Sequence, residues 1–223
     1  MTRMYQATDK FTKKLKKRIR REFNYLSVLS FDELNPVRVR NETTQMYERF
    51  KEFNYLEYRA IVESARKYAL SFLSEEEREK VKRLKGKQWG DSMIEYLFVR
   101  YNWVTGYLYL SEADRKRLRL AEEILTSKQY LDRERYNAAL KKSANLWYTQ
   151  SMQYAIDLED VTCSTMWKEA GVKTVKWNAE DDEKTCSKCR NLDGRIFSID
   201  DVPHKQHYNC RCFITPEAKK KDI

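Results

Sequence analysis

The sequence predicts an α+β fold, a mainly α-helical body closed at its C-terminus by a small cysteine-rich β module. Three observations predict it. Gly occurs five times and Pro three times in 223 residues, so helical periodicities run long and little interrupted. After Gly171 the texture changes to short alternating segments. Four of the five cysteines lie between 186 and 212. Helices first and short strands afterwards give two structural layers in sequence order.

The first element is amphipathic. Phe11, Leu15, Ile19 and Phe23 recur every four residues, while Lys10, Lys13, Lys14, Lys16, Lys17, Arg18, Arg20 and Arg21 fill the other faces. Asn35-Pro36 interrupts the pattern. A second helix is expected over 41–72, with Met46, Phe50, Phe53, Ile61, Ala65, Tyr68 and Phe72 on one face. Ser74 to Glu77 reads as a capping box for a short helix ending near Gly86. Residues 92–104 carry another helical pattern, and Ser111 to Asp114 resembles a cap for a helix reaching Leu125. A long helix over 128–160 has Tyr136, Leu140, Ala144, Trp147, Tyr148, Ser151, Ala155 and Leu158 as its seam, and a shorter helix then stops at Gly171. Val172 to Trp177, Arg195 to Ile199 and Arg211 to Ile214 are strand candidates, and Asp193-Gly194 is a hairpin signal. The implied segments are a basic arm (1–40), a helical body (41–171), a cysteine-rich module (172–216) and a basic tail (217–223).

Composition narrows the function. Apolar residues make up 41% and charged residues 35%, as expected of a globular chain with a wet surface. No apolar run approaches the length of a membrane span, and MTRMYQATDKF lacks a secretory apolar core, so a cytoplasmic start is expected. The net charge of +10 is concentrated at the front, where residues 1–40 hold eleven Lys/Arg against four Asp/Glu. Such a front suits an anionic partner: DNA bound through its phosphates without sequence preference, an acidic protein surface, or lipid headgroups. Tyr96, Phe98, Tyr101, Trp103, Tyr107 and Tyr109 crowd one stretch, read as helix-packing core with an interface as the alternative. Cys163, alone on a helical pattern, reads as a small core residue.

The C-terminal cysteines carry the sharpest signal. Cys186-x2-Cys189 is followed at a distance by His207-x2-Cys210-x-Cys212, and both histidines of the chain, His204 and His207, fall in this segment. Zn²⁺ takes four N/S ligands in a tetrahedron, and paired Cys-x2-Cys spacing supplies two of them from one turn. Cys186 and Cys189 are expected ligands, with Cys210 joined by either His207 or Cys212. His204, directly after Pro203, is the weakest of the six candidates. The alternative is a set of free thiols in a small core. A closed four-ligand site is a folding staple with no position for an activated water, so no catalytic residue is assigned and no enzymatic activity is expected.

Lys176-Trp177, Asp182-x2-Thr185-Cys186-x2-Cys189-x2-Leu192-Asp193-Gly194, Phe197, Pro203 and His207-x-Asn209-Cys210-Arg211-Cys212 together resemble the signature of the phage head-morphogenesis (minor head protein) family typified by the Mu F protein. The resemblance covers residues 175–216. Lys168-Glu169-Ala170-Gly171-Val172 also suits that family's helix-to-strand junction. Family members often carry an Arg-Thr pair on the long helix, where this chain has Tyr148-Thr149. Some close in Cys-Arg-His, which favours position 212 as a ligand.

The resemblance implies a minor capsid protein, a virion component of the capsid interior that assembles in the host cytoplasm. Its implied partners are the portal protein, other head proteins and phage DNA, with zinc as cofactor and no small-molecule substrate. Two other classes remain beside it: a nucleic-acid-processing enzyme, such as a zinc-containing nuclease or toxin domain, and a simple nucleic-acid-binding module.

Overall fold

A computed structural model describes residues 4–29, 33–105, 122–129, 132–180, 185–205, 207 and 209–217, with side chains at 98–105 excluded. The chain is mainly helical and ends in a three-stranded antiparallel sheet. Its helices are α1 (Gln6–Val28), α2 (Pro36–Leu70), α3 (Glu75–Lys80), α4 (Gly86–Thr105), α5 (Arg133–Ala170) and α6 (Ser187–Leu192). Its strands are β1 (Thr174–Asn178), β2 (Ile196–Ser198) and β3 (Phe213–Pro216). Residues 122–129 are helical as well. Among the described residues no helix is long and apolar enough to cross a membrane.

Local chemistry sets the helix boundaries. α2 begins at Pro36, five residues before its expected start, because Asn35 is a cap rather than a breaker. Its Oδ1 accepts from the Arg38 N–H at 2.9 Å, and Pro36 takes the first helical position, where a missing N–H costs nothing. The capping box at Ser74 is present in both directions, with Ser74 N–H donating to Glu77 at 2.9 Å and Glu77 N–H to Ser74 Oγ at 3.3 Å. α3 nevertheless closes at Lys80, and Gly86, at φ +83°, opens α4 instead of ending α3.

The long helix and its shorter successor are one element. No Gly or Pro falls between Arg133 and Ala170, Asp132 caps the start by accepting from Arg135 N–H at 2.9 Å, and nothing interrupts the ladder. Gly171 ends it at φ +89°, with Val172 N–H reaching back to the Trp167 carbonyl at 2.9 Å. The Ser111 to Asp114 cap, Tyr107 and Tyr109 lie outside the described residues, as do the side chains of Phe98, Tyr101 and Trp103. Tyr96 is exposed.

The chain forms two compact units whose boundaries fall inside α1, α2, α4 and α5. One comprises 9–58 and 95–152. Here Phe11, Leu15, Ile19 and Phe23 are all buried, so the four-residue repeat of α1 is its core face. Trp147 of α5 centres the packing, with its ring 4.8 Å from Phe50 and 5.5 Å from Phe23. Tyr136 donates its hydroxyl to the Leu26 carbonyl.

The other unit comprises 1–8, 59–94 and 153–223. Trp167 donates to the Ala69 carbonyl at 3.1 Å, Tyr154 to the Ile94 carbonyl at 2.8 Å, and Arg59 pairs with Asp91 at 2.5 Å. Cys163 is buried against the Ala65 carbonyl, as a core thiol should be. The sheet has the order β2-β1-β3, with Val175 opposite Phe197 and Trp177 opposite Ile214. The alternation expected over 172–177 holds only from Thr174, where β1 starts, with Val175 and Trp177 buried and Val172 and Lys173 preceding the strand.

Candidate metal centre

The two cysteine pairs meet against Trp177 of β1. Cys186 is the N-cap of α6 and its sulfur accepts from the Cys189 N–H at 3.4 Å. The Cys-x2-Cys spacing therefore spans the first turn of a helix, which points both sulfurs to one side. Asp193-Gly194 does not form a two-residue hairpin. Six helical residues precede it, and it stops α6, with Gly194 at φ +73° turning the chain into β2. Gly194 N–H then bonds the Trp177 carbonyl at 2.9 Å, and Trp177 N–H bonds the Arg195 carbonyl at 2.9 Å.

The second pair arrives through a different device. Asn209 sits at φ +57°, a left-handed conformation Asn tolerates, and its N–H donates to Gln153 Oε1 of α5. Cys210 and Cys212 precede β3, which starts at Phe213 instead of Arg211. Just before it, the Cys210 N–H bonds the His207 carbonyl at 3.3 Å.

Two overlapping ligand groups result, each with its ligand atoms within 4.8 Å of one another: Cys186, Cys189 and His207, and Cys189, Cys210 and Cys212. Cys189 belongs to both. Each of the five residues read from the sequence falls in one group or the other, and His204 is in neither. The four cysteines are free thiols, and the sulfurs of Cys189 and Cys210 stand 3.6 Å apart. That is far from a disulfide bond. It is close to the ~3.8 Å edge of a tetrahedron whose Zn–S bonds are ~2.3 Å.

Cys189, Cys210 and Cys212 are buried with Trp177, and Leu192, Phe197, Val202 and Ile214 pack around them. Burial pushes the Cys189 and Cys212 thiols up, whereas the Cys189 N–H aimed at its sulfur holds Cys186 down. A divalent ion suits this donor set, because it removes the protons and offsets the thiolate charge that an apolar shell disfavours.

A network with no local sequence signal backs the second pair. The Lys205 ammonium donates to the carbonyls of Cys210, at 3.2 Å, and Cys212. It also reaches the Tyr5 hydroxyl at 2.7 Å and Asp160 Oδ2 at 3.0 Å. Tyr5 donates to Asp160 Oδ1 at 2.6 Å. Beside it Glu159 is buried, its carboxyl pushed up to about 8 mainly by burial and next by Asp160, with Thr8 and Arg211 pulling the other way.

The basic residues of α1 divide by environment. Lys10, Lys13, Lys14, Lys16, Lys17, Arg20 and Arg21 are exposed, and Arg18 is not. Arg18 pairs with the buried Glu22 at 3.0 Å, donates to the Arg49 carbonyl at 3.2 Å, and lies over the Phe53 ring. Burial lowers its basicity. Glu22 also holds Arg49 at 2.7 Å, and that hydrogen bond raises Arg49. Lys14 pairs with Glu57 at 2.7 Å, Lys16 lies 5.5 Å from the centre of the Tyr148 ring, and Arg21 is 3.6 Å from Glu22. Asp181, Asp182 and Glu183 lie outside the described residues.

A model of the family described as "Phage Mu protein F like protein" matches residues 115–215. The matched stretch contains all of α5, the sheet's first two strands and both cysteine pairs. No curated protein and no solved structure matches the chain.

Proposed function

We propose, from the premise that residues 115–215 belong to the phage Mu F-like head-morphogenesis family, that the protein is a structural minor head protein of a tailed phage or prophage. It acts within the capsid near the portal, after assembly in the host cytoplasm. The module 172–216 holds one zinc ion through Cys186, Cys189, Cys210 and either His207 or Cys212. The observation that carries this reading is the convergence of two distant cysteine pairs on Cys189 inside the family-matched segment. Bound zinc would staple the α6 turn to the segment that carries Cys210 and Cys212 and supply folding energy without chemistry.

The exposed cations of α1 form the proposed contact with packaged DNA. Lys10, Lys13, Lys17 and Arg20 are the leading residues, because they are exposed while Arg18 and Lys14 engage carboxylates of their own unit. An acidic head-protein surface is the competing partner for the same charges. The test is complementation of a phage or prophage whose own copy is deleted, followed by electron microscopy and protein analysis of the purified heads. The wild-type chain should enter the heads in few copies and restore their assembly, and a Cys189→Ser chain should not. Heads that form normally without the protein would remove the morphogenetic role.

A further inference from the structure

We propose that Lys205 is a positioning residue for the metal centre, presetting Cys210 and Cys212 before an ion arrives. The inference rests on the zinc reading above. Its ammonium touches the backbone of both ligand residues, donating to the carbonyls of Cys210 and Cys212 on either side of Arg211. Two carbonyls gathered on one cation hold the Cys210–Arg211 and Cys212–Phe213 peptide planes, the plane that follows each ligand residue, and so restrain the backbone from which the two Cα–Cβ bonds project.

The lysine is itself held. Asp160 of α5 faces it at 3.0 Å and Tyr5 accepts from it at 2.7 Å. Lys205 and Asp160 side chains retain only 20% and 25% of their exposure, so the pair is screened less than a surface contact. Tyr5 completes the clamp. Its φ of +61° is a left-handed backbone that tyrosine seldom adopts, and it places a fully buried ring under two cations. Lys205 and Arg211 lie 5.2 and 5.3 Å from that ring's centre. Positive charge beside the ligand backbone also opposes the net negative charge that three or four thiolates leave around a divalent ion. The clamp thus joins the chain's fifth residue, the long helix and the second ligand pair, none of which is close in sequence.

The experiment measures zinc affinity by competition with a chromophoric chelator, together with the Co²⁺ absorption spectrum, for wild type, Lys205→Met, Lys205→Arg and Lys168→Met. Lys205→Met should keep one bound ion per chain but weaken it about 10- to 100-fold, the range seen when a group that orients a metal ligand is removed. Its Co²⁺ bands should broaden or move. Lys205→Arg should recover part of the affinity, and Lys168→Met, a lysine paired with Asp200 instead, should match wild type. Where Lys205→Met does not fold, Asp160→Asn replaces it and should weaken binding by a smaller factor in the same direction. Affinity within twofold of wild type with unchanged bands would overturn the inference while leaving the metal centre standing. A wild-type chain that takes up no zinc would overturn both.

Discussion

Cys189 and Cys210 place their sulfurs 3.6 Å apart across 21 positions of chain, one sulfur delivered by the first turn of α6 and the other by the left-handed turn at Asn209. Cys189 is the residue shared by both ligand groups. Cys189→Ser should therefore abolish stoichiometric zinc, whereas only one of His207→Ala and Cys212→Ser should do so. Elemental analysis of the three purified variants names the fourth ligand. Full zinc retention in Cys189→Ser would discard the ligand set.

Loss of the proposed zinc ion should be felt locally. In Cys186→Ser, amide exchange should accelerate across β1, β2 and β3, while residues 133–152 of α5 and the buried face of α1 stay protected. The reason is that Phe11, Leu15, Phe23 and Trp147 form a core of their own. Trp177 packs against three of the cysteines, so its emission should change on metal removal. Faster exchange throughout the chain would contradict separate cores.

Glu159 makes stability depend on pH. Its carboxyl sits near 4.5 when free and is raised to about 8 in the fold. Between those values the folded chain retains a proton that the unfolded chain releases. The contribution is thus complete below about pH 4.5 and is lost as pH rises towards 8. Glu159→Gln removes this dependence. Its stability relative to wild type, from urea unfolding, should improve by about 1–3 kcal/mol between pH 5 and pH 8. A difference that does not change with pH would show that the carboxyl is ionised throughout.

Helix α1 carries both buried ion pairs and the exposed cations proposed to contact DNA. Glu22→Gln should destabilise the chain by about 1–3 kcal/mol, because it weakens charge-assisted bonds to Arg18 and Arg49 at a buried carboxylate. Changing Lys10, Lys13, Lys17 and Arg20 to Gln should leave the melting temperature nearly unchanged. It should reduce the salt slope of binding to random duplex DNA by about 0.9 for each phosphate no longer neutralised. An unchanged slope would assign the stripe to a protein partner.

A structural role also predicts no cleavage of plasmid DNA by the zinc-loaded chain with Mg²⁺ or Mn²⁺. A filled tetrahedron leaves no position for an activated water. Cleavage that disappears in His207→Ala would establish an enzyme and displace the head-protein role.

By itself the sequence determined what repeats or lies close in the chain. The four-residue spacing of Phe11 to Phe23 named the core face of α1, the Ser74 box and Gly171 marked helix ends, and the alternation to Trp177 marked β1. The Cys and His spacing named five candidate ligands, each of which falls in one of the two groups that share Cys189. The helix and strand signals depend on neighbours within about one or two turns, so pattern suffices, whereas the meeting of the two cysteine pairs spans 21 positions and rests on their ligand chemistry.

Tertiary structure decided the rest. Whether Asn35-Pro36 ends a helix or starts one depends on which N–H the Asn35 side chain meets. Arg18 has the same local sequence character as its neighbours, and only a buried Glu22 and the Arg49 carbonyl set it apart. The clamp of Tyr5, Asp160 and Lys205 has no sequence signature, since Tyr5 stands 155 positions from Asp160 and 200 from Lys205. Only folding brings those charges within hydrogen-bond reach, and a period of two or 3.6 residues carries no information about such distances.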